Sequence, residues 1–240
     1  MTSPRFWVAT LATLVGMALT AALGLWQWDR AGQKLALEAS IEAAQAAAPV
    51  PAERLVDEAG APELLHRRVE LRGRWLPEHT VFLDNRQMQQ RPGFYVVTPL
   101  RLSGSDAVVL VQRGWAPRNF QAREQLPPVA TPPGEVTVQG RIAPAPSKLY
   151  AFDAAETGPI RQNLDLAAFR KETGLPLLEG SVQQVGRASE GLLRDWPVAA
   201  SGASKNYGYA FQWWALCAAL FAFYVWFQFI HPRRREFPRA

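Results

Sequence analysis

The chain has 240 residues, with 26 lysines and arginines against 21 acids and a net charge of +5. Its one cysteine, Cys217, excludes an internal disulfide and a cysteine-built zinc site, and with only Met1, Met17 and Met88 beside it the soft-donor set for copper is poor. Five of the bases (Arg5, Arg233, Arg234, Arg235 and Arg239) sit in short tails, leaving 21 bases against 20 acids in residues 29–206, so the basic balance does not describe a nucleic-acid-binding domain.

After the tail of residues 1–5 comes a run, residues 6–28, of 23 residues without a charge. At about 1.5 Å per residue, a helix of that length covers the roughly 30 Å of bilayer hydrocarbon, so the run reads as a first transmembrane helix. It exceeds the apolar core of about 7–15 residues in a signal peptide. Ala22 and Gly24 have the small-x-small spacing of a cleavage site, and cleavage is the alternative. Five preceding residues are too few for an organelle transit peptide, which points to a bacterial plasma membrane. The span ends Gly24-Leu-Trp-Gln-Trp-Asp-Arg30, where Trp26, Gln27 and Arg30 share a helix face, either as an interfacial anchor or as a contact surface. Residues 33–48 are rich in Ala and Glu and predict a helix stopped by Pro49 and Pro51.

From about residue 65 to 187 the pattern turns to short strands. Arg68-Val-Glu-Leu-Arg-Gly-Arg-Trp75 alternates with the period of a half-buried strand, placing Val69 and Leu71 inside. Residues 80–84, 94–98, 108–112, 135–139 and 181–185 are β-branched or aromatic, with Val109 and Val111 expected in the core. Arg91-Pro-Gly93, Ser103-Gly-Ser105 and Thr131-Pro-Pro-Gly134 are expected turns between them. Residues 164–173 predict a short helix with a stop at Gly174. The sum is a mainly antiparallel β domain, a small barrel-like sheet with short helices. Two pieces in it stand out: Leu83-Asp-Asn-Arg86 at a strand end and Gln112-Arg-Gly-Trp-Ala-Pro-Arg118. Arg86 and Arg113 there either pair with acidic neighbours or bind a carboxylate.

Residues 207–230 form a second charge-free run of 24 residues, a second transmembrane helix. It opens Asn206-Tyr-Gly-Tyr-Ala-Phe-Gln-Trp-Trp214, with Tyr209, Gln212 and Trp213 on one face. A glutamine in a span is costly unless paired, so Gln212 is expected to face a partner helix. The basic tails at 1–5 and 231–240 place both termini in the cytoplasm and residues 29–206 in the periplasm. The histidines, His66, His79 and His231, show no ligand spacing, and no nucleophile elbow, zinc pair or phosphate loop is present.

Taken in order, these pieces resemble the surfeit locus protein 1 family, membrane assembly factors of haem-copper cytochrome oxidase. The resemblance rests on Gly24-Leu-Trp-Gln-Trp-Asp-Arg-Ala-Gly-Gln-Lys34, Arg68-Val-Glu-Leu-Arg-Gly-Arg-Trp75, Asp84-Asn-Arg86, Gly93-Phe-Tyr-Val-Val-Thr-Pro-Leu100, Val111-Gln-Arg-Gly-Trp-Ala-Pro-Arg118, Pro159-Ile-Arg-Gln-Asn-Leu-Asp165 and Gly208-Tyr-Ala-Phe-Gln-Trp-Trp214. It implies a non-enzymatic chain that helps mature the oxidase catalytic subunit where haem a reaches it, with that subunit and other assembly factors as partners and no metal ion of its own. It also implies that Trp26, Gln27, Arg30, Asn85, Arg86, Arg113, Trp115, Tyr209, Gln212 and Trp213 are candidate partner or haem contacts. The family's haem-ligand histidine aligns with Asn206, which is not a normal iron donor; Tyr207 or Tyr209 would be the chemically possible substitutes. The alternative reading is a membrane-anchored periplasmic enzyme or sensor working from the β surface.

The topology has a direct check. A periplasm-active reporter fused after Ala240 is expected to be silent and one inserted near Ala130 active; an active C-terminal fusion overturns the two-span arrangement.

Overall fold

The computed structural model describes residues 4–119, 121, 125–146, 158–197 and 202–231, so most of the expected basic C-terminal tail lies outside the described residues. In chain order the elements are α1 (Pro4–Ala46), α2 (Ala52–Asp57), β1 (Arg68–Trp75), β2 (Val81–Met88), β3 (Arg91–Leu102), β4 (Val108–Pro117), β5 (Glu135–Ala143), β6 (Ile160–Arg161), α3 (Leu166–Thr173), β7 (Ser181–Gln184) and α4 (Ala203–Val225). They divide into a helical unit, residues 1–40 with 199–240, and a β unit, residues 41–198.

Both long helices have the length and apolarity of a bilayer span, over Phe6–Ala46 and Ala203–Ile230. The helix expected at 33–48 is the continuation of α1, which runs unbroken to Ala46. Between Thr10 and Lys34, α1 lies antiparallel to α4. Thr10 Oγ1 and Tyr224 OH are 2.8 Å apart, and the Cys217 thiol lies 3.6 Å from the Met17 carbonyl. Gly16 faces Leu220, and Gly24 faces Trp214. Small residues let the backbones approach: Gly16, Thr20 and Gly24 recur every four residues, and Thr20 returns its hydroxyl to the Gly16 carbonyl at 2.8 Å. A methyl group on Gly24 would overlap the Trp214 indole, so the close approach there depends on glycine.

The β unit is one sheet in the order β1-β5-β7-β4-β3-β2-β6, and β1 also pairs with β3, closing five strands into a ring. Most pairings are antiparallel; β4–β7 and β2–β6 are parallel. The alternation of β1 is real, every second side chain being buried from Val69 to Trp75. Val69, Leu71, Val109 and Val111 pack in one cluster with Leu100, Val138 and Val182. Strand β4 is buried along both faces because α3 and Leu177 cover its outer side through Val108 and Leu110. Asp165 caps α3 by accepting from the Ala168 amide at 3.0 Å, and Gly174 ends it at φ 67°.

One expected turn is displaced. Arg91-Pro-Gly93 lies inside β3, and the chain reverses instead at Gln89 and Gln90, with φ of 51° and 61°. Gly93 is needed in the strand because a side chain there would run into Trp115 and the Ala116 carbonyl. Left-handed backbone at a two-residue hairpin tip usually carries Asn or Gly, so a Gln-Gln tip gives no signal in the sequence.

Val109 is 1% exposed. Val109→Asp places a charge in this interior and is expected to destabilise the β unit by about 4 kcal/mol or more, read as loss of protease-resistant protein in membranes. Wild-type resistance would mean that Val109 does not lie in this interior.

Candidate functional site at one end of the helix pair

The α4 face turned to α1 carries residues 203, 206, 210, 213, 217, 220 and 224, all buried or partly buried. That period of three and four puts Asn206, not Gln212, against α1. Asn206 Oδ1 accepts from Lys34 Nζ at 2.7 Å, and Asn206 Nδ2 donates to Gln27 Oε1 at 2.6 Å. Gln27 and Lys34 are two turns apart on one stripe of α1, with fully buried Ala31 between them. One flank of this node is aromatic: the Trp28 ring lies 4.7 Å from Tyr207 and 5.8 Å from Trp214, centroid to centroid.

Of the six residues expected to cluster here, only Gln27 is seen bridging the helices. Trp213 is partly buried on the facing side. Trp26 and Tyr209 are 57% and 54% exposed, and Arg30 and Gln212 are exposed too. Arg30 donates to Gln33 at 3.3 Å on its own helix. The expectation that Gln212 faces a partner helix is therefore not met within this chain, since the period carries it to the side away from α1. Trp28, Lys34 and Trp214 are not among the residues expected to make contacts, and Tyr207 is expected only as a substitute iron donor. Their signal was the seven-residue spacing of Gln27 and Lys34 in line with Gly16, Thr20 and Gly24.

In the β unit the two standout motifs meet. Arg118 Nη1 lies 3.0 Å from an Asp84 carboxylate oxygen, and Trp115 Nε1 donates to the Arg86 carbonyl at 2.9 Å. Asn85, at φ 58°, occupies the irregularity between Leu83 and Arg86, and its backbone N–H donates to Asp84 Oδ1 at 2.7 Å. The Arg86 side chain is buried, donates to the Gln162 carbonyl at 3.0 Å and lies 5.8 Å from the Tyr95 ring. Burial pushes the Tyr95 phenol up and works against the Arg86 charge, each partly offset by the other. Trp115 packs with Met88 and Trp196.

Arg113 sits where β4 is irregular, two residues answering one across from Val96 and Val97. Its side chain is fully buried, 4.6 Å from the centre of the Trp75 ring. Nη1 donates to Thr131 Oγ1 at 2.7 Å, and Nη2 to the Ala130 carbonyl at 2.7 Å and to Glu190 Oε2 at 2.9 Å. Arg194 reaches the same Glu190 oxygen at 3.2 Å and holds the Arg113 carbonyl at 2.9 Å. Arg113 is thus a structural tie, with both Nη atoms engaged. An open pocket beside α3 contains His79, Glu78, Arg161 and Glu172. Arg161 gives Nη1 and Nη2 to the two Glu172 oxygens at 2.8 and 2.5 Å, which depresses the Glu172 carboxyl. Among the described residues no three of His, Cys, Asp or Glu are grouped to hold a metal ion.

The sequence profile of the SURF1 family matches residues 14–218, from within α1, through the β unit, to within α4. The chain belongs to the SURF1 family. It is 27% identical over 107 residues to a SURF1-like protein of Rickettsia bellii, covering 44% of this chain and 42% of that one. A SURF1-like protein of Drosophila melanogaster is 29% identical over 177 residues, covering 65% of this chain and 56% of that one. Surfeit locus protein 1 of Rattus norvegicus is 27% identical over 234 residues, covering 86% and 70%. The chain thus spans about half the length of the first two relatives.

Gly24→Val is expected to weaken the helix pair by about 1–3 kcal/mol, because the Trp214 indole must give way. Detergent-induced separation of the two helices, followed by energy transfer between labels near residues 10 and 224, measures it. An unchanged midpoint would show that the approach at Gly24 contributes nothing.

Proposed function

We propose that this SURF1-family chain is an assembly factor that helps mature a haem-copper cytochrome oxidase, acting where haem a reaches the catalytic subunit. The observation that carries the reading is the family match over residues 14–218, which takes in much of both long helices and the β unit between them in sequence. Two helices suited to a bilayer support a place in a membrane beside an integral-membrane client; the proposed membrane is a bacterial plasma membrane, with the β unit on the periplasmic side. The catalytic subunit and other assembly factors are the proposed partners.

Position 206 does not fit an iron ligand. Both ends of the Asn206 amide are engaged, and the Lys34 ammonium stands 2.7 Å from Oδ1, where it repels a second cation. The Tyr207 ring is held against Trp28 instead. The proposed role is therefore one of binding and positioning protein, with no haem iron held by Asn206. The enzyme alternative finds little support in the pocket around His79, because Arg161 and Glu172 there are committed to each other.

A strain lacking this chain is expected to make oxidase catalytic subunit with several-fold less haem a and activity, restored by the wild-type chain. Normal haem a per subunit in its absence overturns the reading. The chain purified from cells that make haem a is expected to carry it well below one per chain. Stoichiometric haem a lost on Asn206→Leu would overturn the statement about position 206 alone.

A further inference from the structure

Contacts of the aromatic flank determine what lies on the other side of the helix pair. Trp28 meets Tyr207 and Trp214, and a step of two residues on a helix turns about 200°. Trp26 and Arg30 on α1, with Lys205 and Tyr209 on α4, therefore point to the opposite flank, and Gln212, two before Trp214, joins them. All five side chains are exposed. They are also layered along the helix axes. Arg30 and Lys205 lie at the end of the pair, Trp26 and Tyr209 each four residues or about 6 Å further in, and Gln212 about 4.5 Å beyond Tyr209.

The positive charge of this end is only partly offset internally: Arg30, Lys34 and Lys205 stand against the one carboxylate of Asp29, which leaves +2. Arg30 donates to neutral Gln33, Lys34 donates to neutral Asn206, and Asp29 is taken by Gln33 at 2.8 Å. Among the described residues none of Arg30, Lys34 and Lys205 is ion-paired, and the first turn of α4 contains no acid. Cations at the rim, an indole N–H and a phenol O–H one layer in, and an amide deeper still match the order of groups down a phospholipid: phosphate, glycerol, ester carbonyl. We propose that this flank is a binding site for an anionic phospholipid, with Arg30 and Lys205 on the phosphate and Trp26, Tyr209 and Gln212 along the glycerol esters. Charge complementarity favours a lipid here over a protein helix, because the cations lie at headgroup depth and the flank offers exposed aromatics where a packed helix would want small residues.

The test uses the full chain in detergent with equimolar phosphatidylglycerol and phosphatidylcholine, reading retained lipid by native mass spectrometry. The wild type is expected to retain phosphatidylglycerol preferentially. Arg30→Gln with Lys205→Gln should lower that preference about fivefold for each charge removed. Arg30→Lys with Lys205→Arg should keep it. Lys171→Gln with Arg187→Gln, which removes the same charge from the β unit, should leave it unchanged. Equal retention of the two lipids by the wild type, or an unaltered preference in the double glutamine variant, overturns the proposal. So does a preference lost equally in the β-unit variant, which would report net charge only. A wild type without lipid preference whose Gln212→Leu variant sheds a co-purified membrane protein would show that the flank seats a helix, and would overturn it too.

Discussion

Hydrocarbon offers a backbone amide no water, so a chain that enters it must satisfy its own N–H and C=O groups, and helices do this within one segment. The helical unit is built under that constraint. Once the backbone is satisfied, every polar side chain left in the span has to find a partner or reach an end. Thr13 and Thr20 return their hydroxyls to carbonyls of their own helix at 2.9 and 2.8 Å, and Thr10 also meets Tyr224. Gln27, Lys34 and Asn206 collect at one end, where the three satisfy one another. On α1, Gly16, Gly24 and Ala31 leave room in the contact for the larger Trp214, Leu220 and Tyr224 of α4, because close packing, and not a hydrophobic drive, holds helices together in lipid.

The β unit solves the same satisfaction problem by closure. Gly73, Arg74 and Trp75 of β1 pair with β3 after the body of β1 has paired with β5, so these five strands have few free edges left. The penalty falls on its buried charges. One Glu190 carboxylate serves both Arg113 and Arg194, and burial works against the charge on Arg194. Stacking on Trp75 and the carbonyl of Ala130 make up for the missing second acid at Arg113. A lysine could not take this place, since it lacks the planar face and the forked donors.

The helical runs and β1 could be read directly, because absence of charge and strict alternation are local properties of a sequence. Strand β4 could be read as a strand but not as one buried on both faces, which depends on α3 folding back over it. The two residues of β6 and the parallel pairings carry no local pattern at all. At the helix pair, Gln27 and Asn206 were visible as polar residues near a span, whereas the face that meets α1 was not. A helix of this composition is apolar nearly all round, so its own moment does not choose a side. The choice comes from glycine: only at Gly24 can the Trp214 indole sit against the α1 backbone, and that seat rotates α4 until Asn206 faces Lys34 and Gln212 faces outward.

The pairing also accounts for an amide at position 206 in physical terms. The site asks for one acceptor toward an ammonium and one donor toward the Gln27 carbonyl oxygen, and asparagine supplies both from a single rigid plane. A neutral imidazole offers the same pattern, one lone pair and one N–H, so histidine and asparagine are interchangeable here as hydrogen-bonding groups. They differ in what remains. An imidazole that turns its lone pair to a metal must release Lys34, and a protonated imidazole would set two cations against each other at the end of a span. Aspartate would gain an ion pair with Lys34 but lose the donor to Gln27 and add the cost of taking a second charge out of water. With Lys34 fixed in position, asparagine gives the ammonium an acceptor and Gln27 Oε1 a donor without adding a charge. Lys34, held against a neutral amide, lies at the same end of the helix pair as Arg30 and Lys205.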